Sequence, residues 1–201
     1  MSDGTVRNKP VYTIEFPGCD NAKVRSWILE HAKRTQVCWV FSENVLPDLR
    51  HGPGSAVWLP PKLARGMGLA AARTFDLVYG QYGYGMHPNN MDTPNYLVLL
   101  RDPAERLAAA LDQIAAQQAH KPVGRAVAEC RDVEAFLQDH PQTHLDNLLV
   151  RRLAGAGAVK FGGIVEEHFE RALTRMRRDV AVQWVDDATG VTQHLARALR
   201  V

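Results

Sequence analysis

Residues 96–107 read YLVLLRDPAERL, a run of aromatic and aliphatic residues that ends at an arginine and leads into a helix start. The unbroken apolar run is typical of a strand buried on both faces, as the inner strands of a parallel sheet are. Asp102 is a good N-cap, Pro103 suits the first helical position, and Glu105 completes a capping box. The stretch therefore predicts an inner strand, a capped turn and a helix over 103–119.

Strand-like and helix-like patterns alternate along the rest of the chain. The predicted strands lie at 11–16, 36–42, 75–80 and 180–185, and the predicted helices at 21–33, 61–73, 132–139, 145–154, 164–178 and 189–199. The prolines and glycines of residues 43–60 predict a long irregular loop. Strands separated by helices favour an α/β fold, a three-layer sandwich around a parallel sheet. We expect a flexible arm over residues 1–10 and a single domain over 11–201.

The composition argues against several classes of protein. A net charge of +2 indicates neither a nucleic-acid footprint nor a membrane-surface charge. No apolar run approaches the roughly 20 residues of a membrane span, and the first ten residues lack the apolar core of a signal peptide. Three cysteines without CxxC spacing predict neither a disulfide framework nor a zinc ribbon, and Pro141 prevents His140 and His144 from sharing a helical face. We expect a cytoplasmic protein with no metal, no nucleic-acid partner and no membrane contact.

Arg101 is the first candidate for a binding residue. It follows the predicted inner strand, and open α/β sheets place their ligands at the carboxyl ends of such strands. A guanidinium beside a helix N-terminus favours phosphate or sulfate. An ion pair with a nearby acid is the alternative role.

Residues 16–24, FPGCDNAKV, occupy the position of a phosphate-binding loop after the first strand. The loop has a single glycine, and Asp20 would repel an anion, whereas Lys23 lies in the first helical turn and can reach back. The glycine spacing and the Lys-Ser/Thr pair of a Walker loop are missing. A plain strand-to-helix turn is the alternative reading.

A third candidate site follows the strand at 75–80, in the stretch YGQYGYGMH (79–87). Its glycines allow backbone conformations that loops near a ligand require. Tyr82 and Tyr84 could stack on a base or ring, and His87 could move a proton near neutral pH. An irregular connection without function is the alternative.

Several segments resemble, in order, the bacterial branch of the sulfotransferase family 2 proteins, which are relatives of the carbohydrate sulfotransferases. They are VYGQYGYGMH (78–87), YLVLLRDPAERL (96–107), VEAFLQ (133–138), DNLLVRRLAG (146–155) and FGGIVEEHFERAL (161–173). Those enzymes move a sulfuryl group from 3′-phosphoadenosine-5′-phosphosulfate (PAPS) to an acceptor hydroxyl or amine. The resemblance implies a P-loop-like sulfotransferase fold, PAPS as cofactor and a small-molecule or sugar acceptor.

The resemblance also implies roles for individual residues. Arg101 corresponds to the family arginine that grips the 3′-phosphate, and the stretch from Pro17 to Lys23 to the loop that holds the 5′-phosphosulfate. Gly18 stands where the family has a lysine, Gln81 where it has a histidine base, and Ala109 where it has a serine. The predicted site comprises His87 and Gln81 for catalysis, Pro17, Gly18, Lys23, Arg101 and Arg106 for the cofactor, and Tyr82, Tyr84, Asn147 and Arg151 for the substrate.

Three hypotheses about function follow. The first is a sulfotransferase-like enzyme in which Lys23 and His87 replace the missing lysine and base. The second is a catalytically degenerate homologue that acts as a binding or regulatory subunit. The third is a repurposed enzyme that uses Gln81, the tyrosines and His87 on a small metabolite without PAPS. The contacts to PAPS that are lost in the loop and at Ala109 correspond to about 3–6 kcal/mol of binding free energy. This loss keeps the second and third hypotheses open. A homo-oligomer or a partner chain that completes the cleft is also expected.

Overall fold

The computed structural model describes residues 10–19, 22–31, 36–40, 56–59, 75–87, 91, 94–130, 132–139 and 145–201. Within these ranges the chain forms six strands and seven helices. The strands are β1 (Val11–Ile14), β2 (Val37–Val40), β3 (Ala56–Leu59), β4 (Leu77–Gly80), β5 (Asn95–Leu100) and β6 (Val180–Trp184). The helices are α1 (Ala22–His31), α2 (Pro103–Gln117), α3 (Pro122–Ala128), α4 (Val133–Asp139), α5 (Leu148–Ala154), α6 (Glu166–Asp179) and α7 (Ala188–Leu199).

The strands form one sheet in the order β3-β2-β4-β1-β5-β6, and every pairing between described strands is parallel. Helices α1 and α7 cover one face, where Val24, Ile28 and Leu195 pack on strand residues. Helices α5 and α6 cover the other face, where Leu153 and Ala172 join the core. The predicted α/β class with helices on both faces of a parallel sheet is confirmed.

The connections that follow β1 and β5 run in opposite directions across the sheet. The chain leaves β1 towards β2 on one side of it, and it leaves the adjacent β5 towards β6 on the other side. In open α/β sheets, the crevice between two such strands at their carboxyl ends is where ligands bind. This crevice therefore lies between residues 15–19, which follow β1, and Arg101, which follows β5.

The turn between β5 and α2 forms largely as predicted. The Asp102 side chain caps the helix by accepting hydrogen bonds from the backbone N–H groups of Ala104 (2.9 Å) and Glu105 (3.1 Å). Pro103 opens the helix. The Glu105 side chain differs from the prediction, because it pairs with Arg101 at 3.3 Å instead of completing a capping box. The cap is therefore provided by Asp102.

Two elements depart from the prediction. Residues 56–59 form a strand that pairs in parallel with β2, so the prediction of an irregular loop is wrong there. The short run AVWL has a strand-like composition, which the flanking prolines and glycines concealed. Helix α3 was not predicted as a separate element and begins at Pro122, in the first helical turn.

Other predictions concern residues outside the described ranges. They are residues 1–9 of the expected arm, Asp20 in the loop after the first strand, the helix over 61–73 and the pair His140 and His144. Among the helices that are described, none has both the length and the apolar character needed to cross a membrane.

Gly80, the last residue of β4, holds two strands close together at the edge that carries the crevice. Its φ is +157°, and an added Cβ would lie 2.0 Å from the carbonyl oxygen of Val40 at the end of β2. That same carbonyl accepts the N–H of Gln81 at 2.8 Å. The close approach therefore needs a residue without a side chain.

We expect Gly80→Ala to lower the free energy of unfolding by about 3 kcal/mol, because the clash involves backbone that cannot turn aside. Urea unfolding measures the change. Gly157→Ala is the matched control, since a Cβ there meets nothing within 4 Å and the change should stay within about 0.5 kcal/mol. Equal stability of the two variants would contradict the close approach at Gly80.

Candidate functional site

The loop after β1 packs directly on helix α2. The backbone turns tightly, with the N–H of Cys19 bonded to the carbonyl of Phe16 at 2.9 Å. Gly18 has a φ of +80°, and an added Cβ would lie 2.2 Å from the carbonyl oxygen of Arg106 in α2. Burial raises the pKa of the Cys19 thiol to about 11. Gly18, predicted as a cofactor contact, is thus the point at which this loop meets the helix.

Arg101 links the end of β5 to this loop. Its Nη1 donates to the carbonyl of Gly18 at 3.0 Å, and its Nε pairs with the exposed carboxylate of Glu105 at 3.3 Å. The Arg101 side chain is 30% exposed, so it reaches both the loop and the solvent. The ion pair that the sequence left open as an alternative is present. Nη2 makes no hydrogen bond to any described residue, which leaves donors for a ligand.

Arg106 lies on the second turn of α2, five residues after Arg101. Its Nη1 is buried and has no hydrogen-bond partner in the described part of the chain. Burial lowers the pKa of this guanidinium below its ordinary value, and the nearby Cys19 opposes that effect. Both arginines also act on the Cys19 thiol, where they oppose the burial that raises its pKa. Two cations therefore converge at the junction of β1, β5 and α2.

Beneath the loop lies a buried acid that the sequence reasoning missed. Glu15, 2% exposed, accepts a short hydrogen bond from the hydroxyl of Tyr79 and pairs with Nη1 of Arg25 at 3.3 Å. Burial raises the pKa of Glu15, although Arg25 and Tyr79 both oppose the shift. The network ties α1 to β1 and β4 below the loop. An acid that directly follows a buried strand was the only signal in the sequence.

Gln81 and Lys23 occupy different positions near the same edge. The backbone of Gln81 is fixed at the ends of β2 and β4, and its carbonyl accepts a hydrogen bond from Arg152 at 3.4 Å. Its half-buried side chain follows β4 at the carboxyl edge. Lys23 is exposed on the first turn of α1, and Pro17 is half-buried in the loop. The structure thus places Pro17, Gly18, Gln81, Arg101 and Arg106 at one edge.

The two tyrosines predicted to stack on a ligand already have partners within the chain. Tyr82 is buried, and its hydroxyl donates to the carbonyl of Val78 at 2.7 Å. The ring of Tyr84 is stacked on Tyr96 with centroids 4.8 Å apart, and the guanidinium of Arg175 lies over it at 4.4 Å. Neither ring is available to a ligand in this arrangement.

His87 is held by Tyr96 at the beginning of β5. The phenol oxygen accepts the N–H groups of Gly85 and Met86, both at 3.1 Å, so its two lone pairs are occupied. Its single proton is then donated to Nδ1 of His87, 2.9 Å away. A hydrogen bond in this direction requires the neutral tautomer of His87 that carries its proton on Nε2.

Burial favours the neutral form of His87, and the charged groups around it act in both directions. Burial lowers the pKa of His87 below its ordinary value, Asp179 opposes the shift, and Arg175 and Arg178 add to it. Asp179 accepts hydrogen bonds from Arg178 and from the hydroxyl of Tyr84. Burial alone would raise the pKa of the Asp179 carboxyl, but these hydrogen bonds hold it below its usual range.

His87 and Arg101 do not form one site in this structure. Tyr96, which binds His87, is the second residue of β5, whereas Arg101 follows its last residue. Five residues of extended chain, at about 3.3 Å each, place the backbone of Tyr96 roughly 16 Å from that of Arg101. The hypothesis that His87 replaces the missing base beside the phosphate therefore has no geometric support.

Arg151, predicted to bind substrate, has no N–H left for a ligand. It is 2% exposed, and its five N–H groups bond to the carbonyls of Asp146, Ala156, Val159 and Lys160 and to the Asp146 carboxylate. Burial would raise the pKa of Asp146, but the hydrogen bond from Arg151 and the N–H of Gly162 hold it low. Arg151 therefore stabilises this turn, and its role towards a substrate stays a prediction.

Asn147 belongs to the same network. It precedes α5 with a φ of 47°, a left-handed conformation that asparagine tolerates better than most residues. Its side-chain amide donates to Asp146 at 2.7 Å. The exposed side chain therefore supports the turn that carries Asp146, and its role towards a substrate stays a prediction.

The comparisons with known proteins identify no relative. No family model, no curated protein and no solved structure matches the chain. Among the described residues there is also no group of three or more His, Cys, Asp or Glu side chains placed to hold a metal ion.

His87 should make the stability of the protein depend on pH. Its folded pKa lies below the unfolded value of about 6.5, so the unfolded chain binds more protons in that range. The contribution is fully present above pH 6.5 and is lost as the pH falls through the folded pKa. We expect His87→Asn, which keeps an acceptor for Tyr96, to flatten the pH dependence of the urea midpoint below pH 6.5.

His120→Asn is the control for that measurement, because His120 is exposed. It should keep the wild-type slope. A His87→Asn variant with the same slope as wild type would show that the Tyr96 contact does not disfavour the protonated imidazole.

Arg151→Met should lower the free energy of unfolding by about 3–5 kcal/mol, because it leaves the partly buried Asp146 carboxylate and the carbonyls around the buried Arg151 side chain unpaired. Urea unfolding measures this loss. Arg171→Met, which alters an exposed arginine of α6, is the matched control and should change stability by less than about 0.5 kcal/mol. Wild-type stability in Arg151→Met would return Arg151 to the candidates for substrate binding.

Proposed function

We propose that the chain is a sulfotransferase-like protein that binds a phosphate- or sulfate-bearing nucleotide at the carboxyl edge of its sheet. The observation that carries the proposal is Nη1 of Arg106, a buried donor with no partner among the described residues. Burying a cationic donor without an acceptor is costly, and native proteins rarely leave such a group unsatisfied. An anion bound between Arg106 and Arg101 would remove that cost.

The surroundings favour side-chain N–H groups over backbone N–H groups as the donors that bind the anion. The site lies in the crevice where the connections after β1 and β5 diverge. The backbone N–H groups of Ala104 and Glu105, which an anion at a helix N-terminus would otherwise use, already donate to Asp102. The guanidinium groups of Arg101 and Arg106 are then the available donors, and guanidinium geometry suits phosphate and sulfate oxygens.

The residues fit one anionic group and not a whole phosphosulfate. The carbonyl of Gly18 points to Arg101, and the loop itself rests on the backbone of α2, where a bound phosphosulfate would need space and N–H donors. Arg101 corresponds, through the resemblance to sulfotransferase family 2, to the arginine that grips a 3′-phosphate. The 3′-phosphate of PAPS or of a related nucleotide is therefore the group we assign to the arginine pair.

A binding or regulatory role follows more readily than sulfuryl transfer. The predicted proton carrier, His87, is bound to Tyr96, whose backbone lies roughly 16 Å before Arg101 along β5. Of the predicted catalytic residues, Gln81 is the one at the edge, and an amide cannot act as a base. Transfer from PAPS to a sugar or small-molecule acceptor remains the second candidate, which the family resemblance favours.

Calorimetric titration with 3′,5′-adenosine bisphosphate, the stable product of PAPS, tests the proposal. We expect micromolar binding that weakens about tenfold to a hundredfold in Arg106→Met and in Arg101→Met, because each loses a charged hydrogen bond. Arg171→Met should bind like wild type. Without ligand, Arg106→Met should be at least as stable as wild type, since the variant removes an unpaired buried donor.

Failure to bind at millimolar bisphosphate, or unchanged affinity in Arg106→Met, would overturn the proposal. A transfer assay with labelled PAPS and sugar acceptors separates the two candidates. Transfer that is lost in Gln81→Ala but kept in His87→Asn would establish catalysis at the carboxyl edge.

A further inference from the structure

Strand β6 is the last strand of the sheet, and its outer edge is not covered by another described strand. The N–H of Val185 bonds to Leu100 of β5 at 2.7 Å, so alternate residues before it point their backbone groups towards β5. The backbone groups of Val180, Val182 and Trp184 therefore point outward. This edge has neither proline nor lysine, the residues that commonly prevent strand edges from pairing.

The same strand exposes large apolar side chains on the face that α6 covers. Val182 is 37% exposed and Trp184 is 56% exposed, while Val180, on the same face, packs against the core that contains Ala172 of α6. An exposed tryptophan beside an unpaired strand edge is typical of an interaction surface.

Helix α6 extends this surface. Arg175, on one flank, reaches the carbonyl of Leu153 in α5 and the ring of Tyr84, so that flank faces the middle of the sheet. Phe169 (42% exposed) and Leu173 (40% exposed) lie on the opposite flank at helical spacing. They face away from α5 and towards the β6 side of the molecule.

We propose that β6 and α6 form a two-fold interface with a second copy of this chain. The outward backbone groups are self-complementary in an antiparallel ladder centred on Val182, in which Val180 of one copy pairs with Trp184 of the other. Val182 then faces its own counterpart. The two sheets join into one, and Phe169 and Leu173 of the two α6 helices meet above the junction.

The charges of α6 favour the antiparallel arrangement. Glu166 and Glu170 lie in its first half and Arg177 near its end, all exposed and next to the apolar flank. Around a two-fold axis near Leu173, Glu170 of one helix lies beside Arg177 of the other. A parallel arrangement would instead place like charges together. The interface is independent of the anion site, because Arg101 and Arg106 lie on neither element.

Sedimentation equilibrium of the full chain across a concentration series tests the interface. We expect a dimer of twice the 22.4 kDa chain mass. Val182→Pro should weaken dimerisation at least tenfold, because proline removes an outward N–H while the ladder to β5 stays intact. Val182→Thr keeps that N–H and is the matched control, which should remain dimeric. Circular dichroism should show the same fold in both variants.

Charge reversal provides a second test that does not alter the strand. Glu170→Arg and Arg177→Glu should each weaken the dimer, and the double variant should restore it, because only a direct pair across the two-fold axis is repaired by exchange. Arg171→Glu, on the other flank of α6, should have no effect. A monomer at every concentration, a dimer unaffected by Val182→Pro, or a double variant without rescue would overturn the proposal.

Discussion

The contact between Gly18 and the backbone of α2 is the constraint on which the candidate site depends. Because the loop after β1 touches the helix with no side chain between them, Arg101 can reach the Gly18 carbonyl and close the crevice from the β5 side. The buried network of Glu15, Tyr79 and Arg25 supports the same loop from below. Any side chain at Gly18 would separate loop from helix and move both arginines relative to β1.

Three arginines show how the number of satisfied N–H donors distinguishes a candidate binding residue from a structural one. Arg151 uses all five of its N–H groups within the chain and so stabilises a turn. Arg101 uses Nε and Nη1 and keeps contact with solvent. Arg106 buries a donor that meets no acceptor in the described part of the chain. Residue type and charge are identical in the three cases, and only the surrounding acceptors differ.

The sequence predicted the sheet better than the site. The strand YLVLL is long, apolar and followed by a recognisable helix cap, so its position is set by local sequence. The strand AVWL is short and lies between prolines and glycines, so the sequence did not predict it. The site depends on which loops meet in space. The stretch from Gln81 to His87 runs from the carboxyl end of β4 to Tyr96 near the start of β5, so the two predicted catalytic residues contact different parts of the sheet. Glu15 gave almost no signal, because its partner Tyr79 is 64 residues away.

The central place of β1 in the sheet has a consequence for synthesis of the chain. β1 is the first of the described strands to be synthesised, yet its two neighbours, β4 and β5, are not complete until residues 80 and 100 have been made. At about 5–20 residues per second, the nascent segment waits several seconds with both of its edges unpaired. Its apolar residues therefore lack their native strand partners during that interval.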